Sequence, residues 1–389
     1  MGSNGWERLQ ASIYAADIPP PLPTNLAAVE ELARCKLDER VYAFIAAGAG
    51  RGETSKRNEK AFGDWAIVPR VLREAIQVET ATSLFGRELS VPILLGPVGM
   101  QRIVHPDGEL ATARAATRLA LPMVLSMSSS YSIERVREEA KSADLWFQLY
   151  RPDSEAITDS LLQRAWDADY RVLVLTVDTW QTGWRPGDLD FGYSPFAEGQ
   201  GAAIIFSDPV FRSLLARPPE ADPEQAMARW LPMFNRTSQT WESLSDLRRR
   251  WPGILVVKGV QHVEDAVAAV DAGADGVVVS NHGGRHLDGA ISSLEALPDI
   301  VAAVGGATTV LFDSGIRGGV DAVIALALGA RAVLIGRPYI YGLAAAGEAG
   351  VEHVMSCIAA EISITMGNSG HRTVRDLGRA MLRAATPRA

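Results

Sequence analysis

The stretch GVVVSNHGGRHLDG, residues 276–289, runs from three valines straight into two histidines, an arginine and an aspartate on a glycine-rich backbone. Valine-rich runs favour strands, and a strand that ends abruptly in polar, thinly covered residues delivers them to a site at its C-terminal tip. The same form recurs along the chain. Eight candidate strands lie at VPILLGP (91–97), PMVLSMS (122–128), LWFQLYR (145–151), RVLVLTVDT (171–179), GILVVKG (253–259), GVVVSNHGG (276–284), TVLFDSG (309–315) and AVLIGRP (332–338). Between them, segments such as GELATARAATRLA, SIERVREEAK and HVEDAVAAVDAGA carry apolar residues at helical spacing. Strand and helix alternate in order, and the strands are apolar on both faces. This predicts an α/β fold of the TIM (β/α)8 barrel type rather than an open doubly wound sheet.

One interval breaks the rhythm. Between the fourth and fifth strands, about residues 185–250, lies a long insertion rich in Gly, Pro and aromatic residues, including FGYSPFAEGQGAAIIFSDPVF and ARPPEADPEQAMARWLPMF. An insertion after a barrel strand emerges on the catalytic face, where long loops act as lids or assembly contacts. The residues before 91 read as a helical and hairpin preface, and those after about 345 as helices closing the barrel. Nothing marks a second domain, so residues 1–389 are read as one, with the barrel at about 91–345.

Composition narrows the partners. A chain of 389 residues, 47% hydrophobic, can bury a large core, and its net charge of -8 argues against a nucleic-acid or anionic-membrane surface. The two cysteines, Cys35 and Cys357, form no CxxC or Cys/His cluster, so neither a disulfide framework nor a structural metal is expected. No apolar run reaches the ~18 residues of a membrane span, and a cytoplasmic location is expected.

The reactive side chains sit where a barrel converges. Tyr150, Asp178 and Lys258 end strands three, four and five; His282 and Arg285 follow strand six. Asp313, Gly315 and Arg317 follow strand seven, and Gly336 with Arg337 follows strand eight. The loops after strands seven and eight are the usual phosphate site of such barrels, which predicts a phosphate-bearing cofactor.

The ordered motifs FQLY, LTVDT, GWRP, VKG, SNHGGR, FDSGIRGG and IGRP resemble those of the FMN-dependent 2-hydroxy acid oxidising enzymes: glycolate oxidase, lactate oxidase, mandelate dehydrogenase and lactate 2-monooxygenase. The DTWQTGWRP run and the long fourth loop look most like the last of these. The resemblance implies FMN as cofactor, His282 as base, Asp178 as the carboxylate that steadies its imidazolium, and Arg285 with Arg185 as a clamp for the substrate carboxylate. Tyr150 would contact substrate. Lys258 would stand near flavin N1 and O2, Pro97, Val98 and Gly99 beside the ring, and Ser126, Gln148 and Thr176 at its polar edge. Ser280, Asp313 and Ser314 complete the cofactor set, with Gly315, Arg317, Gly336 and Arg337 at the phosphate. A tetramer or octamer is also implied.

Three positions depart from the pattern. Phe44 in VYAF replaces a substrate-binding tyrosine, and Tyr42 stands on another part of the same helix. Ser128 replaces the tryptophan of glycolate oxidase and opens the pocket towards bulkier side chains. His286 replaces a glutamine and puts a second titratable group beside the base. The glycine-rich AAGAGRG (46–52) follows no strand and is read as a helix end, not a dinucleotide loop. The activity implied is oxidation of an L-2-hydroxy acid with molecular oxygen as acceptor, with oxidative decarboxylation if the long loop cages the oxo acid. An oxidase releasing hydrogen peroxide is the second reading, and a flavin-dependent isomerase on the same barrel a third.

Overall fold

The computed structural model describes residues 7–16, 18–73, 77–234 and 239–385. Eight parallel strands close into a barrel in sequence order: β1 (Ile93–Leu95), β2 (Met123–Ser126), β3 (Leu145–Leu149), β4 (Val172–Thr176), β5 (Ile254–Val260), β6 (Gly276–Val279), β7 (Thr309–Phe312) and β8 (Ala332–Ile335). Each lies where an apolar run predicts it, although the runs mostly extend beyond the ladder. The surplus residues, such as Asn281 to Gly284, leave the hydrogen-bonded sheet and turn into the mouth. Strand β5 is the exception. It continues to Val260 past a register shift between Lys258 and Val260, so Lys258 lies inside the strand.

Period-two alternation separates two cores. Leu145, Phe147 and Leu149 point out to the helices, whereas Trp146 points into the barrel with Leu94, Val124, Val174, Val256, Val278 and Leu311. The hairpin Thr82–Leu84 and Arg87–Leu89 plugs the N-terminal end. Leu84 and Leu89 join the inner core, and the Phe85 ring meets Trp146 at 5.8 Å between centroids. With the bottom sealed, the C-terminal mouth is the end open to a ligand among the described residues.

The insertion after β4 is folded onto the barrel. Its short helices Ala203–Phe206 and Pro209–Ser213 dock on the helix Glu155–Asp167 through the fully buried Asp208. Asp208 accepts from Ser160 Oγ (2.7 Å) and Arg164 Nη1 (3.1 Å), and it caps the second helix through the amides of Val210 and Phe211. An aromatic chain then runs inward from Phe211 to Trp230 (6.0 Å), Phe234 (5.6 Å) and Tyr150 (5.2 Å). Residues 235–238 of the insertion lie outside the described residues.

Candidate active site

A cavity of about 550 Å³ opens at the C-terminal mouth. Pro97, Val98, Gly99, Ser126, Ser128, Tyr150 and Lys258 line it from strands β1, β2, β3 and β5. His282, Arg285 and His286 enter after β6, Asp313 to Arg317 after β7, and Gly336 and Arg337 after β8. Phe44 and Arg185 reach it from the preface and the insertion. Asp178, Gln148, Thr176 and Ser280 stand behind this lining, against the side chains that form it.

His282 occupies a left-handed backbone position (φ 57°) followed by Gly283 and Gly284, also at positive φ. The three positive φ angles turn the chain sharply at the strand tip, which explains the two glycines in the motif. Nδ1 of His282 lies 2.9 Å from Asp178 Oδ1, and Nε2 lies 3.4 Å from the Tyr150 hydroxyl. Burial pushes the imidazole below its ordinary pKa although Asp178 pulls the other way, so His282 is neutral near pH 7. Asp178 is held well below the carboxylate range: burial opposes its charge, but His282 and Lys258 outweigh burial. With Nδ1–H given to Asp178, Nε2 is left as the acceptor facing the cavity.

Lys258 is buried, 3.1 Å from Asp313 Oδ2 and donating to Ser280 Oγ at 2.9 Å. Burial disfavours its charge, but Asp313 and Asp178 raise its pKa above the ordinary value, so it remains a fixed cation. Ser280 also accepts from the amide of His282 (3.0 Å), coupling cation and imidazole through one hydroxyl.

Arg185 and Arg285, expected to clamp a carboxylate, flank Phe44, with guanidinium carbons 5.6 Å (Arg185) and 5.2 Å (Arg285) from its ring centre. Arg285 Nη1 donates to the carbonyls of Phe44, Ile45 and Ala47, the C-terminal end of the helix Glu39–Ala46. Arg185 is tied to Asp188 through Nε at 2.5 Å. Burial first, then Arg185 and Arg337, lower the Arg285 pKa to about 9. Cations crowded together and partly desolvated in this way are a receptor for an anion.

Arg337, expected as a phosphate ligand, lines the cavity, and part of its guanidinium is also engaged by the protein. Its Nε, Nη1 and Nη2 donate to the carbonyls of Ile45, Gly283 and Ala47, stapling the preface helix to the β6 tip. Arg317 pairs with Glu59 at 2.7 Å. Backbone remains available for an anion at this edge: the long helix Arg337–Asn368 begins at Gly336 with no side-chain cap, and a Cβ at Gly336 would meet nothing within 4 Å. Polar groups are also free below. Gln148 Nε2 and Thr176 Oγ1 are buried without a partner among the described residues, in a row with Ser126, whose hydroxyl donates to Gln148 Oε1 at 3.0 Å. Orphaned polar atoms just behind the lining at one end of an open cavity and an uncapped helix start at the other fit a long ligand with a polar ring edge and a phosphate tail.

The family model described as FMN-dependent dehydrogenase matches residues 33–384. This chain belongs to that family. It is therefore an FMN-dependent oxidoreductase of 2-hydroxy acids on a TIM barrel. The chain is 46% identical to the FMN-dependent alpha-hydroxy acid dehydrogenase qulF of Penicillium citrinum, over 94% of this chain and 91% of that protein. It is 42% identical to an L-lactate oxidase of Lysinibacillus sphaericus, covering 92% of each. A soluble mutant of the membrane-associated (S)-mandelate dehydrogenase of Pseudomonas putida superposes with a TM-score of 0.83 at 36% identity, over 93% of this chain and 99% of that one. Among the described residues of this member of the family, no helix is long and apolar enough to cross a membrane.

Several neighbours of the site were not anticipated. Asp188 orients Arg185, and Thr179, next to Asp178 in the VDT run, touches both Asp178 and His286. The wall formed by Tyr193, Phe196, Leu231 and Phe234 comes from the insertion, where only aromatic enrichment hinted at it. Asp178, His282 and His286 also bring possible metal-ligand atoms within 4.8 Å of one another. The cations Arg185, Arg285 and Lys258 around them oppose a further dication there.

Proposed function

We propose that this chain oxidises an L-2-hydroxy acid with a bulky apolar side chain to the 2-oxo acid, with molecular oxygen as acceptor. The observation that carries the reading is the Asp178–His282 contact at 2.9 Å, which leaves a neutral Nε2 facing the cavity opposite two arginines. Arg285 and Arg185 hold the acid's carboxylate, presenting its hydroxyl to His282 Nε2. His282 takes the hydroxyl proton, and Asp178 stabilises the imidazolium that results. The Tyr150 hydroxyl, its pKa pushed up to about 12 by burial and by Asp178, stays protonated and donates to the substrate oxygen. Lys258, charged and immobile, favours negative charge building up beside it.

FMN, when bound, accepts the two electrons of the α C–H bond. Pro97 to Gly99, Ser126, Gln148, Thr176, Lys258, Ser280 and Asp313 would hold its ring and chain, and Ser314, Gly315, Arg317, Gly336 and Arg337 its phosphate end.

The size preference rests on Ser128 and the insertion wall. Ser128 is a small residue facing the cavity, and Leu231, Phe196 and Phe234 make the opposite side apolar. A caged oxo acid favours oxidative decarboxylation over release of peroxide and oxo acid, and the docked insertion supports that branch. An isomerase has no need for both a base and a double carboxylate clamp. The FMN-loaded protein, mixed anaerobically with lactate, branched and aromatic 2-hydroxy acids, should bleach fastest with the bulkier L-acids. If none bleaches it, the reading fails; on admitting oxygen, carbon dioxide against peroxide separates the two oxidative branches.

A further inference from the structure

His286 and Thr179 lie outside the proton-transfer steps above, yet both touch the groups that carry them. The His286 ring stands edge-on to His282, with centroids 4.3 Å apart at 86°. Its Nδ1 is 3.3 Å from the carbonyl oxygen of Gln181, and its Nε2 is 3.3 Å from Thr179 Oγ1. Thr179 Oγ1 is in turn 3.2 Å from Asp178 Oδ1. A carbonyl can only accept, so His286 Nδ1 carries a proton.

The Thr179 hydroxyl has one proton, and the acceptors in reach are His286 Nε2, Asp178 Oδ1 and the Tyr150 hydroxyl oxygen. If His286 Nε2 is bare, it competes for that proton; if Nε2 bears hydrogen, the imidazole donates to Thr179 and the hydroxyl proton is left to the oxygens, of which the charged Asp178 carboxylate is the stronger acceptor. We propose that His286 is a positioning residue that draws the Thr179 hydroxyl away from Asp178, leaving His282 the sole side-chain donor to that carboxylate and thereby strengthening His282 as a base. A carboxylate with fewer hydrogen bonds is more basic and holds an imidazolium more tightly.

The surroundings keep His286 in the neutral form this requires. Burial first, then His282, Arg285 and Arg185, push its pKa down to about 3, and Asp178 only partly offsets them. The groups facing the base itself are Asp178, Lys258, Asp313 and Tyr150. The second oxygen of Asp178, Oδ2, is buried with no partner among the described residues, so no other donor dilutes the effect.

The inference rests on His282 acting as base, and the test separates the two. In His286→Gln the side-chain amide donates to Thr179 and turns its hydroxyl onto Asp178. The acid limb of anaerobic flavin reduction, followed with (S)-mandelate and L-lactate on the FMN-loaded protein, should move down by about half a pH unit, and the plateau rate should fall several-fold. Thr179→Val removes the hydroxyl through which His286 acts, so adding His286→Gln to it should produce no further shift. An unshifted limb in His286→Gln, or an equal shift in the Thr179→Val background, overturns the inference.

Two-bond 15N–1H correlation of histidine-labelled FMN-loaded protein supplies a readout independent of substrate. His286 should be the Nδ1–H tautomer, and an Nε2–H tautomer overturns the inference whatever the kinetics. Near-normal flavin reduction in His282→Asn would instead sink the base assignment.

Discussion

Phe44 stands between two guanidiniums and edge-on to Tyr193, at 6.1 Å between ring centres. Its ring faces both arginines but offers a bound carboxylate no hydrogen bond. Tyr42 does not make up the loss: its hydroxyl donates to Glu30 at 3.2 Å, on the side of the preface helix away from the cavity. Phe44→Tyr should therefore improve turnover of small acids most, since these have the fewest apolar contacts to compensate. A hydrogen bond to a charged group is worth ~1.5–3 kcal/mol, so kcat/KM for L-lactate should rise by about tenfold or more. Steady-state kinetics on lactate and mandelate check this; an unchanged or lower value for lactate would show that Phe44 is not the missing contact. His282 and Asp178 were legible at this scale because SNHGGR and LTVDT are local strings. Thr179 was not, because its importance lies in a distance to His286 across two loops.

The insertion shows what an element contributes that its composition does not disclose. Its Gly and Pro content is that of a mobile excursion, but buried Asp208 ties it to Arg164 and Ser160 on the barrel's helical layer, and Phe211 and Trp230 give it a core. Asp208→Ala removes the cap on Val210 and Phe211 and the bond from Ser160, a loss of about 1 kcal/mol for each, while Arg164 keeps its two bonds to Glu134. Asp208→Ala should loosen the insertion. If the insertion cages the products as proposed, oxo acid and peroxide should then escape before they react, and the product balance should move from carbon dioxide towards peroxide. A peroxide-coupled assay beside carbon dioxide release measures the ratio, and a ratio equal to wild type would mean the insertion does not confine product. The hairpin plug is a second such case. A hairpin was legible in the preface, but its position beneath Trp146 depends on closure of the barrel above it.

For the whole molecule, barrel closure gathers residues from Phe44 to Arg337 around one cavity and seals its far end. Unpartnered Gln148 and Thr176 stand behind the lining of that mouth, and the last long helix starts uncapped at it. On the proposed reading their partners arrive with the cofactor. FMN should accordingly stabilise the fold, by ~2.7 kcal/mol at a free concentration one hundred times Kd. Differential scanning calorimetry of the protein stripped of FMN and reloaded should show the midpoint rising by several degrees with FMN. Riboflavin should raise it less, since it lacks the group that meets the helix start. Equal shifts for the two would place the phosphate elsewhere.

By itself the sequence determined the eight strands, because each is buried on both faces and must be a continuous apolar run, and it determined which motifs end them. It also determined the family, since seven ordered strings, six at strand tips and GWRP in the insertion, survive any detail of packing. Tertiary structure alone decided which nitrogens are spent. Arg337 is expected at a phosphate from IGRP, and three of its five guanidinium N–H groups already go to carbonyls, leaving two for a ligand. Arg285 is likewise anchored by a helix end some 240 positions away in the chain. Hydrogen bonding saturates donors one by one in space, and no pattern along the chain records which acceptor reaches them first.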